Sequence, residues 1–197
     1  RPETPQEAAD RRAEASRVRR QSKTFVNLVI ALLASFAVVA VVVLVVVRPD
    51  AAPREPIDYA AIAAEADTPV PLAAPTLSAK WSANSAVYNA SAADGVAHWY
   101  VGFVTPADQF IALRQGIGAN PTWLANELTG MRATGTTTID GVEWTVYDRR
   151  GAKDVGNRAY ALSTVGAQST YVLFGTASDD EFATLAQALA ETITADN

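Results

Sequence analysis

The sequence predicts an α+β protein: a single transmembrane helix followed by an extracytoplasmic antiparallel sheet covered by helices. Three observations predict it. Phe25 to Val47 is a run of 23 residues without an ionisable side chain. Short segments rich in β-branched and aromatic residues recur between Ala86 and Gly175, divided by Asp-Gly and other glycine turns. Ser178 then opens a last segment in which Phe182, Leu185, Ala186, Leu189, Ala190 and Ile193 recur at helical spacing. Four regions follow: a basic arm over 1–24, the membrane helix over 25–47, a proline-rich stalk with a short helix over 48–75, and the outer domain over 76–197.

The apolar run is long enough to cross a membrane. At about 1.5 Å of rise per residue it reaches about 34 Å, against a hydrocarbon core of about 30 Å. A cleaved signal peptide has a shorter apolar stretch of about 7 to 15 residues ending at small side chains, whereas this run closes on Val45, Val46, Val47, Arg48 and Pro49. Six cations lie between Asp10 and Thr24 and only two, Arg48 and Arg54, in the fifteen residues after Val47. The positive-inside rule therefore expects the N-terminus in the cytoplasm and the C-terminal domain outside the plasma membrane. Asn27, Ala31 and Ser35 repeat every fourth residue along the helix. Small and weakly polar residues at that spacing permit close packing on another helix, although a lone span also tolerates them.

After the span, Pro49, Pro53 and Pro56 form one proline cluster and Pro69, Pro71 and Pro75 a second. Such segments favour extended polyproline II at about 3.1 Å per residue. Between them Ile57 to Ala66 reads as a short helix with Asp58 near its start. Two readings stay open for this stretch: a simple tether, or a segment lying along a partner or along the domain itself.

In the domain, Ala86 to Ser91 and Val96 to Thr105 read as a hairpin turning near Asp94-Gly95. Ala107 to Gln115 then reads as a helix, and Pro121 to Glu127 as another, opened by a proline that the first turn tolerates. Strands are expected over Thr134 to Ile139, Val142 to Asp148, Arg158 to Val165 and Thr170 to Gly175. Ser178 with Glu181 makes a capping box for the final helix, whose first turn is acidic.

Charge limits the function. Residues 57–197 carry seven Lys and Arg against fifteen Asp and Glu, a net of −8, while residues 1–24 carry a net of +3. The acidic domain makes nucleic acid an improbable ligand, and the basic arm suits an anionic bilayer surface or an acidic partner. Cysteine is absent and His98 is the one histidine, so neither a disulfide framework nor a Cys-His or multi-histidine metal site is available. His98 lies mid-strand, which makes it a poor triad member. Gly116-Ile117-Gly118 lacks the following Lys-Ser/Thr of a phosphate loop. No cofactor and no catalytic residue is expected.

The segments PLAAPTLSAKWSANSAVYN, HWYVGFVTP, FIALRQ, DGVEWTVY and YVLFGTASDDEFATLAQAL, set behind a basic arm and one span, resemble an actinobacterial family catalogued only as domain of unknown function 4245. The resemblance covers about Arg20 to Ile193. It implies an envelope protein with its domain outside the plasma membrane, and it brings no catalytic residues.

Two surface features are candidate partner contacts. Arg149, Arg150, Lys153 and Arg158 gather four of the seven outer cations around one loop, and Trp81 and Trp123 are the tryptophans least fixed by strand periodicity. The expectation is a non-enzymatic, single-span accessory subunit that docks on an integral membrane protein complex within the lipid bilayer, respiratory complexes being the first to examine. The alternative is an envelope module binding a lipid or small ligand in a groove between sheet and helix, for which an apolar cavity of a few hundred Å³ is the mark.

Overall fold

The computed structural model describes residues 5–45 and 56–197. Val46 and Val47, at the end of the expected span, and the stalk prolines Pro49 and Pro53 lie outside the described residues. The chain divides after Arg54 into two compact units. The first holds α1, one helix over Pro5–Val45, whose stretch Phe25–Val43 is long and apolar enough to cross a membrane. From Pro5 to Val45 the described parts of the basic arm and of the apolar run share one helix.

The second unit is built on a seven-stranded sheet in which every neighbouring pair is antiparallel. Its strands are β1 Ser82–Asn89, β2 His98–Val104, β3 Phe110–Ile117, β4 Gly135–Ile139, β5 Val142–Asp148, β6 Tyr160–Val165 and β7 Ser169–Gly175, arranged 1-2-3-7-6-5-4. Two meanders, β1 to β3 and β4 to β7, therefore meet at the β3–β7 pair. Three helices accompany them: α2 Tyr59–Glu65, α3 Pro121–Glu127 and α4 Asp179–Ala195.

The segment expected as a helix over Ala107 to Gln115 is instead the turn and strand leading through β3. Asp108 takes φ +55° and the Thr105 N–H donates to the Gln109 carbonyl at 2.9 Å, which turns the chain straight from β2 into β3. β3 is central and covered on both sides, so Phe110, Ile111, Ala112 and Leu113 form a continuous apolar run, and such a run does not separate a buried strand from a helix by periodicity. β1 also begins four residues earlier than expected, at Ser82. The remaining strands, α3 and α4 fall within a few residues of their expected positions.

Local chemistry explains the turns and ends. Asp140 and Gly141 both take positive φ, +48° and +81°, so the β4–β5 hairpin closes through a two-residue turn of the kind that matches strand twist. Ser178 accepts from the Glu181 N–H and Glu181 reaches back to the Ser178 N–H, completing the capping box of α4.

The sheet has two faces. On the front, Trp99, Val101, Phe103, Ile111, Leu113, Trp144, Leu162 and Leu173 join Phe182, Leu185, Leu189 and Ile193 of α4 in the main core. The back carries a second core of Ala112, Val172, Phe174 and Tyr147 under Trp123, Leu128 and Met131. Trp123 sits so close to the strand that a Cβ on Gly116 would lie 2.7 Å from its ring. Only glycine fits beneath it.

Candidate interaction surfaces

The segment between α2 and β1 is the front face's other cover. Val70, Leu72, Ala73 and Pro75 are buried, and Leu72 and Ala73 belong to the main core. Of the two readings left open by the sequence, this stretch takes the second, in that it lies along its own domain as a strap. Polar bonds fix it there. Gln115, fully buried, accepts from the Ala73 N–H at 2.8 Å and donates to the Pro71 carbonyl at 3.0 Å and to Ser169 Oγ at 3.1 Å. The Trp99 indole N–H donates to the Ala73 carbonyl at 2.9 Å, and the Tyr59 hydroxyl to the Pro75 carbonyl at 2.6 Å. Tyr59 also meets Phe103 edge-on at 5.3 Å, which holds α2 against the sheet.

Where the strap passes the end of α4 there is a cleft of about 350 Å³. Val70, Pro71 and Ala195 give it an apolar side, and Tyr171, Glu191 and Asp196 a polar one. Asp196 is a structural pin: its carboxylate accepts from the Gln168 and Ser169 N–H groups at 3.1 and 3.0 Å and from the Tyr171 hydroxyl at 3.3 Å. Burial, followed by the nearby Asp196 charge, pushes the Tyr171 pKa from 10.0 to about 12. Tyr171 therefore remains a donor throughout the physiological range. A Cβ at Gly166 would lie 2.3 Å from Asp196 Oδ2, so glycine admits the carboxylate to the hairpin.

The back face has its own polar cluster. Glu127, buried at the end of α3, is bonded by Arg114 Nη1 and lies 3.7 Å from Arg158 Nη2, while Arg158 Nη1 donates to the Glu127 carbonyl. Arg114 stands 5.7 Å over the Tyr100 ring and Arg158 4.1 Å over Phe174. Burial lowers the Arg158 pKa, against the opposing pull of Glu127. Guanidinium nitrogens only donate, so the 3.4 Å contact of Arg114 Nη2 makes His98 Nε2 an acceptor, and Nδ1 is left to donate to the Val96 carbonyl at 3.2 Å. Two arginines, one glutamate and the histidine thus clamp α3 to the sheet.

The four loop cations do not act as one patch. Arg150 is held by Asp148 at 2.6 Å and Asp179 at 2.7 Å and lies 4.6 Å over the Tyr160 ring. Its hydrogen bonds lower the Asp148 pKa. Arg158 is turned inward to Glu127; Arg149 is half-buried, and Lys153 is exposed. Trp123 is buried in the back core and offers no anchor. Trp81 is half-buried and packs edge-on to Phe103 at 6.3 Å. On α1, Asn27, Ala31 and Ser35 are all exposed within their unit.

Sequence reading missed the groups that organise these surfaces. Gln115 falls at the end of the expected helix, Asp196 and Tyr171 are far apart in the chain, and Glu127 with Arg114 is joined only by the fold. A polar residue inside an apolar strand, as Gln115 is in FIALRQGI, is the one signal that points to such a group. Among the described residues no group of three His, Asp or Glu side chains is placed to hold a metal ion.

Comparison with curated proteins and with solved structures gives no match. Residues 20–189 match the family described as "Protein of unknown function (DUF4245)". With the apolar helix, the strap and the seven-stranded domain falling almost wholly within that match, the chain belongs to the DUF4245 family.

Proposed function

We propose that this protein is a non-enzymatic, single-span accessory subunit of a larger bacterial membrane protein complex, with its domain on the extracytoplasmic side. The carrying observation is how the domain uses its polar chemistry. His98, Arg114, Glu127, Arg158, Gln115 and Asp196 are each engaged in bonds that hold one element to another. That is the pattern of a rigid adaptor. The Asn27, Ala31 and Ser35 side of α1 supplies a surface on which a partner helix can pack closely, and the cations before the span favour a cytoplasmic N-terminus.

Affinity purification from mild detergent, followed by mass spectrometry, tests this. The wild-type chain should bring down a larger assembly, and Ala31→Ile with Ser35→Leu should release it while leaving insertion intact. A wild-type chain that runs alone in several mild detergents sinks the reading.

One observation favours a second reading, a module for a lipid or small ligand. The cleft beside the strap has a volume of about 350 Å³ and a largely apolar lining, within the usual range for small-molecule sites. Solvent extraction of the purified full chain should then yield a stoichiometric small molecule, and Ala195→Trp should abolish its recovery.

A further inference from the structure

The two edges of the sheet are protected very differently. β1 is blunted by a bulge between Ala83 and Ser85 and has α2 packed beside it. β4, the opposite edge, is the uninterrupted strand Gly135, Thr136, Thr137, Thr138, Ile139. It has no charge, proline or bulge, and Thr136 and Thr138 are exposed. Natural sheets usually blunt such an edge, because its free N–H and C=O groups template another strand.

The geometry points to a second copy of this chain as the occupant: we infer that β4 pairs antiparallel with β4 of another copy, centred on Thr137. Across the two-residue turn Ile139 and Val142 form a hydrogen-bonded pair, so by alternation Gly135 and Thr137 bond to β5 while Thr136 and Thr138 turn their backbone groups outward. Thr136 of one copy then meets Thr138 of the other, and the reverse, in two hydrogen-bonded pairs. Thr137 meets its own counterpart in a non-hydrogen-bonded pair. The flanks select the antiparallel arrangement. Arg132 precedes the strand and Asp140 follows it; both are exposed, and among the described residues neither has an ion partner. Antiparallel pairing brings Arg132 of each copy toward Asp140 of the other, and the neutral strands put no like charges opposite each other. A five-residue ladder is a small interface, well under the ~1,000 Å² of stable complexes. Attachment of both copies to one membrane raises their effective concentration and offsets this. The pairing is independent of whether the span docks on a larger complex.

The chain contains no cysteine, so a single introduced one reports the contact cleanly. Non-hydrogen-bonded antiparallel partners have Cα atoms about 4.5 Å apart, within disulfide range, so full-length Thr137→Cys oxidised in membranes should cross-link at least about tenfold more than Val87→Cys on the opposite edge. Val87 is 54% exposed, so access does not limit the control. Adding Arg132→Glu to Thr137→Cys should cut the yield several-fold at low salt. Equal yields at Thr137→Cys and Val87→Cys, or a yield indifferent to Arg132→Glu, overturn the proposal. Energy transfer between donor- and acceptor-labelled full-length copies in liposomes gives a measurement without cysteine: the wild type should transfer well above the level expected from random proximity and Thr138→Lys should not, and a wild type at the random level overturns it equally.

Discussion

The carboxamide of Gln115 holds the backbone of Ala73 as a neighbouring strand would, accepting its N–H at 2.8 Å while donating to the Pro71 carbonyl two residues earlier. Gln115→Leu keeps the volume and removes both partners. The Ala73 N–H and the Pro71 carbonyl are then buried or half-buried without a mate, a loss of about 2 to 4 kcal/mol. Urea unfolding followed by tryptophan fluorescence measures it, and an unchanged midpoint would show that the strap is held by packing alone.

Strap burial also decides where the folded domain can be cut. A fragment from Pro56 to Asn197 should unfold in one cooperative transition, whereas one beginning at Pro75 loses the buried Val70, Leu72 and Ala73 and uncovers the front core. Removing two full-sized aliphatic covers costs about 3 kcal/mol or more. Equal melting temperatures for the two fragments would contradict the strap's role.

In α4, Leu189 is fully buried in the main core. Leu189→Ala should destabilise the domain by about 2 to 5 kcal/mol, according to how far the cavity collapses. A cost under about 0.5 kcal/mol would mean that α4 does not seat on the sheet.

Alkaline pH should weaken the fold through Tyr171. Its pKa is about 12 in the folded domain against 10.0 when exposed, so between these values the unfolded chain has already lost a proton that the native one keeps. The native state binds more protons there, and stability falls as pH rises, by up to about 3 kcal/mol for a two-unit difference. Below pH 10 the contribution is fully present. Denaturation midpoints from pH 9 to pH 12 should show the decline, and Tyr171→Phe should make it shallower; an identical slope in that variant removes Tyr171 as its source.

Membrane orientation has a direct test. Protease added to intact spheroplasts should digest the domain beyond Pro56 and leave the arm before Thr24 protected. Digestion of the arm with protection of the domain would reverse the proposed topology.

Much of the architecture was legible because local rules act alone where they are strong. Asp140-Gly141 turns a hairpin by its own backbone preference, and Ser178 with Glu181 starts α4 without help from the rest of the chain. β3 was misread because Phe110 to Leu113 is covered on both faces, and burial on both faces erases the alternation that marks a strand. The candidate surfaces were less legible still. The charges of Arg150 and Arg158 are visible in the sequence, but their capture by Asp179 and Glu127 depends on contacts 29 and 31 residues apart. Trp123 is a candidate contact in the sequence for the same reason: Gly116, the residue that receives it, lies on β3, whose strand character the apolar run hides.

The strap gives the domain a mechanical character. Because the strap is bonded to Trp99 on β2 and Gln115 on β3, a pull on its leading end loads interior strands of the sheet and not an edge. Several bonds must break before the strap peels away. Tension along the strap is therefore resisted by the core itself.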